Sequence, residues 1–530
     1  MASVERPRYT PVPCEAGTTA THEGWVPLVQ CAASFPIEVF EIAISQLVHH
    51  PEYNSTLILR SEVISDTNDG AEFPQSVPPL EGRRPVRCIH RKLLPRRPGR
   101  DPSLEQYCTL YGVVTVPELD AEEHSEESDT DATTMPDTLV LTPIVEPGSS
   151  LPYYHPTVHH LAFRYIPGPE PILRIEVDPL PETSLDLNAR LYRTCLALLE
   201  TLHRYGWGAM TNYKKRVIHD FLIPREQYQD LYLVMRERHK HLVDTWQEVT
   251  DPLKHVFEDI GIATYLMLLW KDTFGTAAEP SDNSLDSEPW KSWPRPPGGF
   301  LDFGCGNGLL THILIAEGYE GYGIDLRART SWAHYPKSTQ DALCVYAFDP
   351  TEETATTNDS DALERPDQTY FKPGTFIIGN HADELTPWLP VVSALYNSSG
   401  YISIPCCSWA FDKKYERSST PSFPLPGSAS RPETDAAFVE SLNLGGDGSN
   451  KSSYSMYRIW LASLSLHCGW KIECETLRIP STRNWAIVGR NWLPASEEDD
   501  YVENAREIVQ NVSGRGLFKT RKPEGKAKDH

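Results

Sequence analysis

A turn rich in glycine is the strongest candidate for chemistry in this chain. The apolar segment Phe300 to Phe303 runs into Gly304, Gly306 and Gly308, and an apolar helical pattern follows. Glycines at alternate positions let the backbone pass close to a bound molecule, and the start of a helix presents free N–H groups to a carboxylate or phosphate. The segment therefore predicts a strand, a turn that faces a ligand, and a helix.

Asp325 indicates the class of that ligand. It ends a second short apolar segment, where doubly wound folds position a carboxylate that accepts ribose hydroxyls. A dinucleotide fingerprint would need a third glycine where Leu309 stands, which disfavours NAD. The spacing from Asp302 through Gly308 to Asp325 resembles the pattern of S-adenosylmethionine methyltransferases. We therefore predict S-adenosyl-L-methionine as the cofactor; the alternative is the same local structure without a ligand.

Later strands should supply the other cofactor contacts, because ligands of open α/β sheets lie at the carboxyl ends of the strands. Asp349 ends the third predicted strand, where it would approach the adenine amino group or only cap a turn. Asn380 ends the fourth, where it would bind the cofactor or cap a helix. The predicted cofactor-binding residues are Asp302, Gly304, Gly306, Asn307, Gly308, Asp325, Asp349 and Asn380.

Two polar segments, 380–388 and 406–414, follow the fourth and fifth predicted strands and should lie beside the methyl donor. Methyl transfer needs a nucleophile in line with the sulfonium, and a ribose hydroxyl gains from a general base or a cation near the developing alkoxide. We predict a base in the first segment and a lysine cation in the second, although the lysines could equally be surface charges. The predicted catalytic residues are His381, Asp383, Glu384 and Lys413.

Carbon methylation is the alternative chemistry, and it would usually need a nucleophilic cysteine. Cys406 and Cys407 stand in the second polar segment without an evident activating neighbour, so we interpret them as inert thiols and prefer attack by oxygen. The eleven cysteines of the chain show no paired metal spacing. No metal site is predicted, and the thiols are expected to be reduced.

The charge distribution bears on the substrate. A net charge of −24 argues against a nucleic-acid partner. Much of the acidity, however, lies in residues 118–137, which we predict to be a disordered insert rather than a protein-docking segment. Residues 83–100 are basic with interleaved apolar residues, a pattern that suits a phosphate backbone.

A second basic cluster, 214–216, is either a solvated surface or an RNA contact, and two tryptophans of the polar segments could hold a planar base. The predicted substrate-binding residues are Arg91, Lys92, Arg96, Arg97, Lys214, Lys215, Arg216, Trp388 and Trp409.

The fold class predicted from these patterns is α/β. From Phe300 onward strand and helix patterns alternate, which implies a Rossmann-like methyltransferase domain with a mostly parallel sheet, preceded by an α+β N-terminal module. The predicted divisions are an N-terminal tail (1–24), the α+β module (25–250), a helix and linker (251–292), the methyltransferase domain (293–493) with disordered inserts near 351–368 and 418–450, and a C-terminal helix and basic tail (494–530). The helix at His255 to Trp270 is expected to be buried against the following sheet.

No apolar leader and no window of about 18 uninterrupted apolar residues is present, so neither a signal peptide nor a membrane partner is predicted. We expect a soluble, intracellular protein.

With these segments in hand, the chain resembles the fungal tRNA (uracil-2'-O)-methyltransferase family. The resemblance is carried by RKLLPRRPGRD (91–101), YKKRVIHD (213–220), KHVFEDIGIATYLMLLW (254–270), LDFGCGNGLLTHILIAEGYEGYGID (301–325), IIGNHADELTPWLP (377–390), IPCCSWAFDKKY (404–415) and IPSTRNWAIVG (479–489). It implies methyl transfer from S-adenosylmethionine to the ribose 2'-oxygen of uridine 44 in serine tRNA, in the cytoplasm. It also implies a possible accessory protein, and it supplies no settled catalytic base.

Two rival hypotheses remain from the sequence. One is a methyltransferase of another RNA, a protein or a small molecule, which the acidic net charge favours and the basic segments oppose. The other is a non-catalytic RNA-binding protein, which the intact glycine turn and Asp325 disfavour.

Overall fold

The computed structural model describes two compact units, residues 1–214 and 215–530. The described residues are 7–68, 72–113, 135–146, 148–211, 217–275, 288–349, 369–417, 420, 422–424, 434–445, 450–494 and 500–518. Most of the predicted acidic insert 118–137, the predicted insert 351–368 and the basic cluster Lys214, Lys215 and Arg216 lie outside them. The units divide after residue 214, whereas the sequence placed the end of the N-terminal module at 250.

The first unit is an antiparallel sheet with two helices. Its elements are β1 (Val12–Pro13), β2 (Val26–Ala32), α1 (Phe40–His49), β3 (Ile58–Asn68), β4 (Arg83–Pro95), β5 (Leu104–Val113), β6 (Pro136–Ile144), β7 (Val158–Ile166), β8 (Ile172–Pro179) and α2 (Arg190–Met210). The strand order is β1-β2-β8-β7-β6-β5-β4-β3, with antiparallel pairing throughout. Apolar residues of α1 recur at helical spacing, and they join those of α2 and the sheet in one core. The predicted N-terminal tail is therefore partly structured, because β1 pairs with β2.

The second unit contains a mixed sheet. Its elements are α3 (Arg225–His239), α4 (Pro252–Phe274), β9 (Phe300–Phe303), α5 (Leu309–Ala316), β10 (Gly321–Asp325), α6 (Lys337–Ala342), β11 (Leu343–Val345), β12 (Phe376–Asn380), α7 (Trp388–Leu395), β13 (Gly400–Ile404), β14 (Trp409–Ala410), β15 (Lys413–Lys414), α8 (Asp435–Ser441), α9 (Ser453–His467), β16 (Trp470–Thr476), β17 (Trp485–Trp492) and α10 (Tyr501–Arg515). The seven-stranded order is β11-β10-β9-β12-β13-β17-β16.

The ladders that join β11, β10, β9, β12 and β13 are parallel, and both ladders of β17 are antiparallel. The sequence predicted a mostly parallel sheet, and the structure shows a mixed one, since a C-terminal hairpin adds β16 and β17 at one edge. Two short strands, β14 and β15, pair separately.

Helix α4 packs on this sheet. Trp270 is fully buried and stacks on Phe300 at 6.1 Å between ring centroids, and its ring meets Phe376 edge-on at 5.6 Å. Burial of so many apolar side chains on all sides of α4 is what its nearly uninterrupted apolar sequence predicts. No helix among the described residues is long and apolar enough to cross a bilayer.

The predicted disordered insert 418–450 is partly helical. Thr434 accepts a hydrogen bond from the Ala437 N–H and caps α8, while Phe438 and Leu442 join the core of the second unit. The prediction of disorder was wrong at these residues because two apolar side chains at helical spacing are enough to anchor a short helix to an existing core.

Candidate active site

A cavity of about 450 Å³ opens at the carboxyl ends of β9, β10 and β12. This is the edge at which open α/β sheets bind ligands. Several predicted site residues share its wall with residues that the sequence did not suggest. The lining includes Gly304, Gly306, Asp325, Arg329, Tyr346, Phe348, His381, Asp383, Glu384, Trp409, Phe411, Asp412, Leu517 and Phe518.

The glycine turn has two different functions. Gly304, Gly306 and Gly308 all have positive φ, at 86°, 54° and 74°, which favours glycine. A Cβ on Gly306 would meet no atom within 4 Å, so its side is open to a ligand. A Cβ on Gly308 would instead lie 2.8 Å from the Leu343 side chain, so this glycine allows close packing.

Asn307 and Gly308 were predicted to bind the cofactor, and neither lines the cavity in this structure. The Asn307 Oδ1 atom accepts a hydrogen bond of 2.9 Å from the Leu309 N–H at the start of α5, and Gly308 is the N-cap of that helix. Both residues shape the turn that faces the cavity.

Asp325 lies in the cavity wall at the end of β10. Its Oδ2 atom accepts a hydrogen bond of 2.9 Å from the Gly306 N–H, and its Oδ1 atom accepts a longer one, 3.4 Å, from the Arg327 N–H. An ionised carboxylate has further lone pairs, which ribose hydroxyls can use. Aromatic walls at Tyr346 and Phe348 suit an adenine ring, so the cavity fits S-adenosylmethionine.

Replacing Asp325 with alanine is expected to weaken S-adenosylmethionine binding by about 1–3 kcal/mol, because the ribose hydrogen bonds are lost and the Gly306 N–H loses its acceptor. Isothermal titration calorimetry of the purified variant measures this. Asp341→Ala, on the exposed side of α6, is the control and should bind as the wild type does. Equal affinities in the two variants would remove Asp325 from the cofactor site.

Asp302 lies beneath the turn rather than in the cavity wall. It is 2% exposed, and its Oδ2 atom accepts a hydrogen bond of 2.8 Å from the Thr311 hydroxyl. Burial raises the pKa of Asp302 to about 7, the Thr311 hydrogen bond opposes that rise, and the charge of Asp325 adds to it. Asp302 therefore supports the turn from beneath and does not line the cavity, and its direct contact with the cofactor stays a prediction.

The raised pKa of Asp302 predicts a pH-dependent stability. An aspartate in the unfolded chain loses its proton near pH 4, whereas Asp302 in the folded protein loses it near pH 7. Between these two values the folded state holds a proton that the unfolded state has lost. Stability from this group is present below that window and is lost as the pH rises through it. In Asp302→Asn the free energy of unfolding is expected to fall by about 1–3 kcal/mol less over this pH range, while the asparagine keeps an acceptor for Thr311. Urea unfolding at pH 4.5 and 7.5 tests this, and an unchanged slope would contradict it.

Two other predicted cofactor ligands do not line the cavity. Asp349 is partly buried beside it, and Asn380 points its amide toward α4, where Nδ2 donates to Asp259 Oδ1 at 3.2 Å. Burial, followed by the neighbouring carboxyl groups Asp302 and Glu258, raises the pKa of Asp259 well above its usual range. Asn380 therefore pairs with a buried acid of α4 instead of capping a helix.

His381 lies in the cavity wall and forms a pair with Glu258 of α4. The distance from His381 Nε2 to Glu258 Oε1 is 2.9 Å, and His381 Nδ1 is buried with no hydrogen-bond partner among the described residues. Burial opposes ionisation of Glu258, but the hydrogen bond and charge of His381, together with Ser481 and Lys254, outweigh it and lower its pKa. An ionised Glu258 holds Nε2 as the donor and leaves Nδ1 as a proton acceptor.

The sequence suggested His381 and missed Glu258. The usable signal was the acidic pair 258–259, which interrupts the apolar pattern of α4. Two acids inside a buried helix require partners, and their partners prove to be His381 and Asn380.

Asp383 and Glu384 also line the cavity, and Asp383 is exposed. Asp383 Oδ1 lies 3.3 Å from the Cys406 Sγ atom, which lies 3.5 Å from Cys407 Sγ. These three donor atoms lie within 4.8 Å of one another, a spacing that a metal ion could use. Burial, followed by the charge of Asp383, raises the pKa of the Cys406 thiol, and burial raises that of Cys407. The thiols are therefore protonated, which favours the inert interpretation over a nucleophile.

The β14–β15 hairpin places Trp409 in the cavity wall, while Lys413 is exposed and does not line the cavity. The Lys414 Nζ atom lies 5.5 Å from the centroid of the Trp409 ring. Arg329 is a cation that does line the cavity, and the sequence did not suggest it.

Trp388 was predicted to contact the substrate, and this was wrong. Its side chain is 0% exposed at the start of α7, where it packs against Phe348, Phe411 and Phe518. A ring enclosed on its edges and faces by other rings cannot stack on a nucleobase. Trp388 instead supports the aromatic wall of the cavity.

The segment after α10 completes that wall. Leu517 and Phe518 line the cavity, and Arg515 Nε lies 2.9 Å from Asp412 Oδ2. The sequence assigned these residues to a basic tail, and the only signal against that assignment was the apolar pair Leu517 and Phe518.

Only some of the predicted substrate-binding residues of the first unit are exposed at the surface, where they could contact RNA. Arg91 is 3% exposed and bonds to the protein interior, Lys92 is half-buried, and Arg96 and Arg97 are exposed. Arg83 and Arg87 of the same strand, β4, pair with Asp137 and Asp66. The strand therefore offers less free positive charge than its sequence suggested, and Arg91 does not present its charge at the surface.

Comparisons with known proteins agree with this geometry. A family described as a TRM44-like, N-terminal bet v1-like domain matches residues 6–216, and a predicted AdoMet-dependent methyltransferase family matches residues 222–286 and 289–350. A tRNA (uracil-O(2)-)-methyltransferase of Neurospora crassa is 33% identical over 504 residues, covering 91% of this chain and 89% of the relative. Enzymes of the same name from Schizosaccharomyces pombe and Saccharomyces cerevisiae are 34% and 29% identical, covering 88% of this chain each and 86% and 87% of those relatives.

No solved structure shows significant similarity to the chain. The curated relatives nevertheless span both units, and the methyltransferase family covers the glycine turn and Asp325. The chain therefore belongs to the family of S-adenosylmethionine-dependent tRNA (uracil-O(2)-)-methyltransferases.

Proposed function

We propose that the protein transfers a methyl group from S-adenosylmethionine to the ribose 2'-oxygen of a uridine in tRNA. The observation that carries this proposal is the joint position of Asp325, Gly306 and His381 in one cavity at the carboxyl edge of the sheet. The order of the parallel strands and the cavity at their carboxyl ends also support a Rossmann-like domain.

In this proposal the chain supplies position and a base. Asp325 would hold the ribose of the cofactor, and Tyr346 and Phe348, which line the same cavity, would contact its adenine. S-adenosylmethionine, when bound, supplies a methyl carbon made electrophilic by a sulfonium.

In this proposal His381 would take the proton of the 2'-hydroxyl at Nδ1, which is buried in the free protein and which a small rotation of the side chain would turn toward the cavity. The proton would leave as the new carbon–oxygen bond formed and the carbon–sulfur bond broke. Glu258, fixed at 2.9 Å, then stabilises the imidazolium. Arg329 in the cavity wall can offset charge on the developing oxyanion.

The proposed substrate is uridine 44 of serine tRNA, and the proposed location is the cytoplasm. The resemblance in the polar segments around Asp383 and Cys406 supports this choice, since those segments line or border the cavity. An accessory protein that presents the tRNA is compatible with a first unit in which two arginines of the basic strand, Arg83 and Arg87, are neutralised by carboxylates of the same unit.

The test is incubation of the purified full-length protein with methyl-labelled S-adenosylmethionine and unmodified serine tRNA, followed by nucleoside analysis. Labelled 2'-O-methyluridine at one site is the expected product. A variant tRNA with 2'-deoxyuridine at position 44 should accept no label. Label at another position or on the base would overturn the proposed site or the proposed chemistry.

A methyltransferase of a different substrate is favoured by one observation, the net charge of −24. The same assay with bulk RNA, protein extract and small molecules in separate reactions distinguishes it. Label that enters protein and never RNA would support this second function.

A further inference from the structure

The first unit contains a cavity of about 500 Å³ that the methyl-transfer site does not use. It lies among α1, β4, β5, β6 and α2, and its walls are mostly aliphatic, with two tyrosines, Tyr153 and Tyr154, among the lining residues. The volume falls within the range of about 300–1,000 Å³ that small-ligand sites have.

A buried arginine lies in the wall of this cavity. Arg91 is 3% exposed, and its Nε and Nη2 atoms donate to Gln106 Oε1 at 3.1 and 2.6 Å. Its Nη1 atom donates to the carbonyl oxygens of Leu47, at 3.0 Å, and Val48. Nη2 carries a second N–H, which has no acceptor among the described residues.

The positive charge of Arg91 also lacks a counter-charge. No carboxylate of the described residues lies within ion-pair distance of it, and the lining of the cavity contains no Asp or Glu. Burial of an unpaired charge is costly, so proteins retain it where a ligand or partner supplies the opposite charge.

The other titratable groups that line the cavity are either positively charged or neutral. Arg190 and Arg193 line it from the exposed side of α2. Burial lowers the pKa of His155 to about 4. The hydrogen bond to Pro156 opposes this shift, and the charges of Arg91 and Arg190 add to it. The His155 imidazole is therefore neutral. The site is therefore cationic and suits an anion.

The mouth of the cavity offers a surface for stacking. The Arg190 guanidinium carbon lies 4.1 Å from the centroid of the Tyr153 ring, and this tyrosine is 69% exposed. Exposed aromatic rings and arginine planes are the surfaces on which unpaired RNA bases stack, with neighbouring cations on the phosphates.

We propose that this cavity receives one unpaired nucleotide of the RNA substrate. The base lies against Tyr153 and the aliphatic walls, and the phosphate accepts hydrogen bonds from Arg91 and from the arginines of α2. This inference rests on the proposed RNA substrate and adds a second contact with it, in a unit that contains no part of the methyl-transfer cavity.

The test uses serine tRNA carrying 4-thiouridine, irradiated in complex with the full-length protein, because zero-length cross-links require contact. Mass spectrometry of the wild type should identify cross-linked peptides that contain Tyr153 or Tyr154. Arg193→Glu should abolish these cross-links and lower tRNA affinity by about 5- to 20-fold, measured by fluorescence anisotropy.

Arg8→Glu is the matched control, since it makes the same charge change at an exposed arginine of the same unit outside the cavity. It should leave the cross-links in place and change affinity less than 3-fold. Arg91→Met, which removes the buried charge and keeps much of the side-chain volume, should also abolish the cross-links. Because it removes the donors to Gln106 Oε1 and to the Leu47 and Val48 carbonyls as well, its thermal unfolding temperature is measured alongside, and Arg193→Glu is the deciding variant.

Cross-links confined to other peptides, or equal losses in Arg8→Glu and Arg193→Glu, would overturn the inference. Binding of dodecanoate in the cavity without competition by tRNA would assign it to an aliphatic acid and would also overturn it. These outcomes are distinct from failure of the proposed function, because formation of 2'-O-methyluridine is measured separately on the same tRNA.

Discussion

His381→Asn is expected to lower the rate of methyl transfer by about 100- to 10,000-fold, since a positioned general base contributes that much. Asparagine is the right replacement because His381 has φ of 54°, a left-handed conformation that asparagine tolerates better than alanine. Single-turnover transfer to serine tRNA measures the rate. Calorimetry should show an S-adenosylmethionine affinity near that of the wild type.

Glu258→Gln separates the base from the group that holds it. Loss of the ionised partner should remove the carboxylate that stabilises the imidazolium and fixes its tautomer, so the maximal rate should fall while the affinity for S-adenosylmethionine stays near that of the wild type. A fall in rate that parallels a fall in the thermal unfolding temperature would indicate that Glu258 has only a structural role.

Asp383→Asn and Glu384→Gln are the comparisons within the same cavity. Asparagine also suits the φ of 45° at Asp383. Each should retain a rate within about 5-fold of the wild type if His381 is the base. A loss of 100-fold or more in Asp383→Asn, with a small effect in His381→Asn, would transfer the role of base to Asp383.

The sequence predicted the parts of the site that depend on local chain geometry. The strand, the glycine turn and the start of α5 form where predicted, because positive φ at Gly304 and Gly306 and the Asn307 hydrogen bond are properties of neighbouring residues. The position of Asp325 was predictable in the same way, because Asp325 ends β10, the strand that pairs in parallel with β9.

Contacts between residues that are far apart along the chain could not be predicted in this way. His381 and Glu258 are 123 positions apart, and only the packing of α4 on the sheet brings them together. Phe518 reaches the cavity because α10 packs beside α7. The acidic pair 258–259 and the apolar pair 517–518 are visible in the sequence, but a single sequence does not show which residues they contact.

Burial explains the other errors. The sequence placed Arg91 in a basic stripe at the surface. Alternate residues of a strand face opposite sides of the sheet, however, and Arg91 faces the interior while Lys92 is half-buried. The pairing of Arg83 with Asp137 likewise depends on strands whose order along the sheet the sequence did not give.

Trp388→Ala is expected to lower the free energy of unfolding of the second unit by about 3–5 kcal/mol, because it removes a fully buried ring and leaves a cavity among Phe348, Phe411 and Phe518. Urea denaturation followed by circular dichroism measures the change. Trp388→Phe should recover more than half of it, since the indole Nε1 atom has no hydrogen-bond partner among the described residues.

Trp409→Ala is the matched control, because Trp409 is half-buried in the cavity wall and packs less tightly. It should cost less than about 1.5 kcal/mol of stability, yet raise the KM for tRNA or for S-adenosylmethionine through lost contact with a bound ring. A stable Trp388→Ala protein with selectively weakened substrate binding would restore the direct contact that the sequence predicted. If the stability loss is found at Trp388 and the binding loss at Trp409, one aromatic residue supports the wall and the other presents it to the ligand.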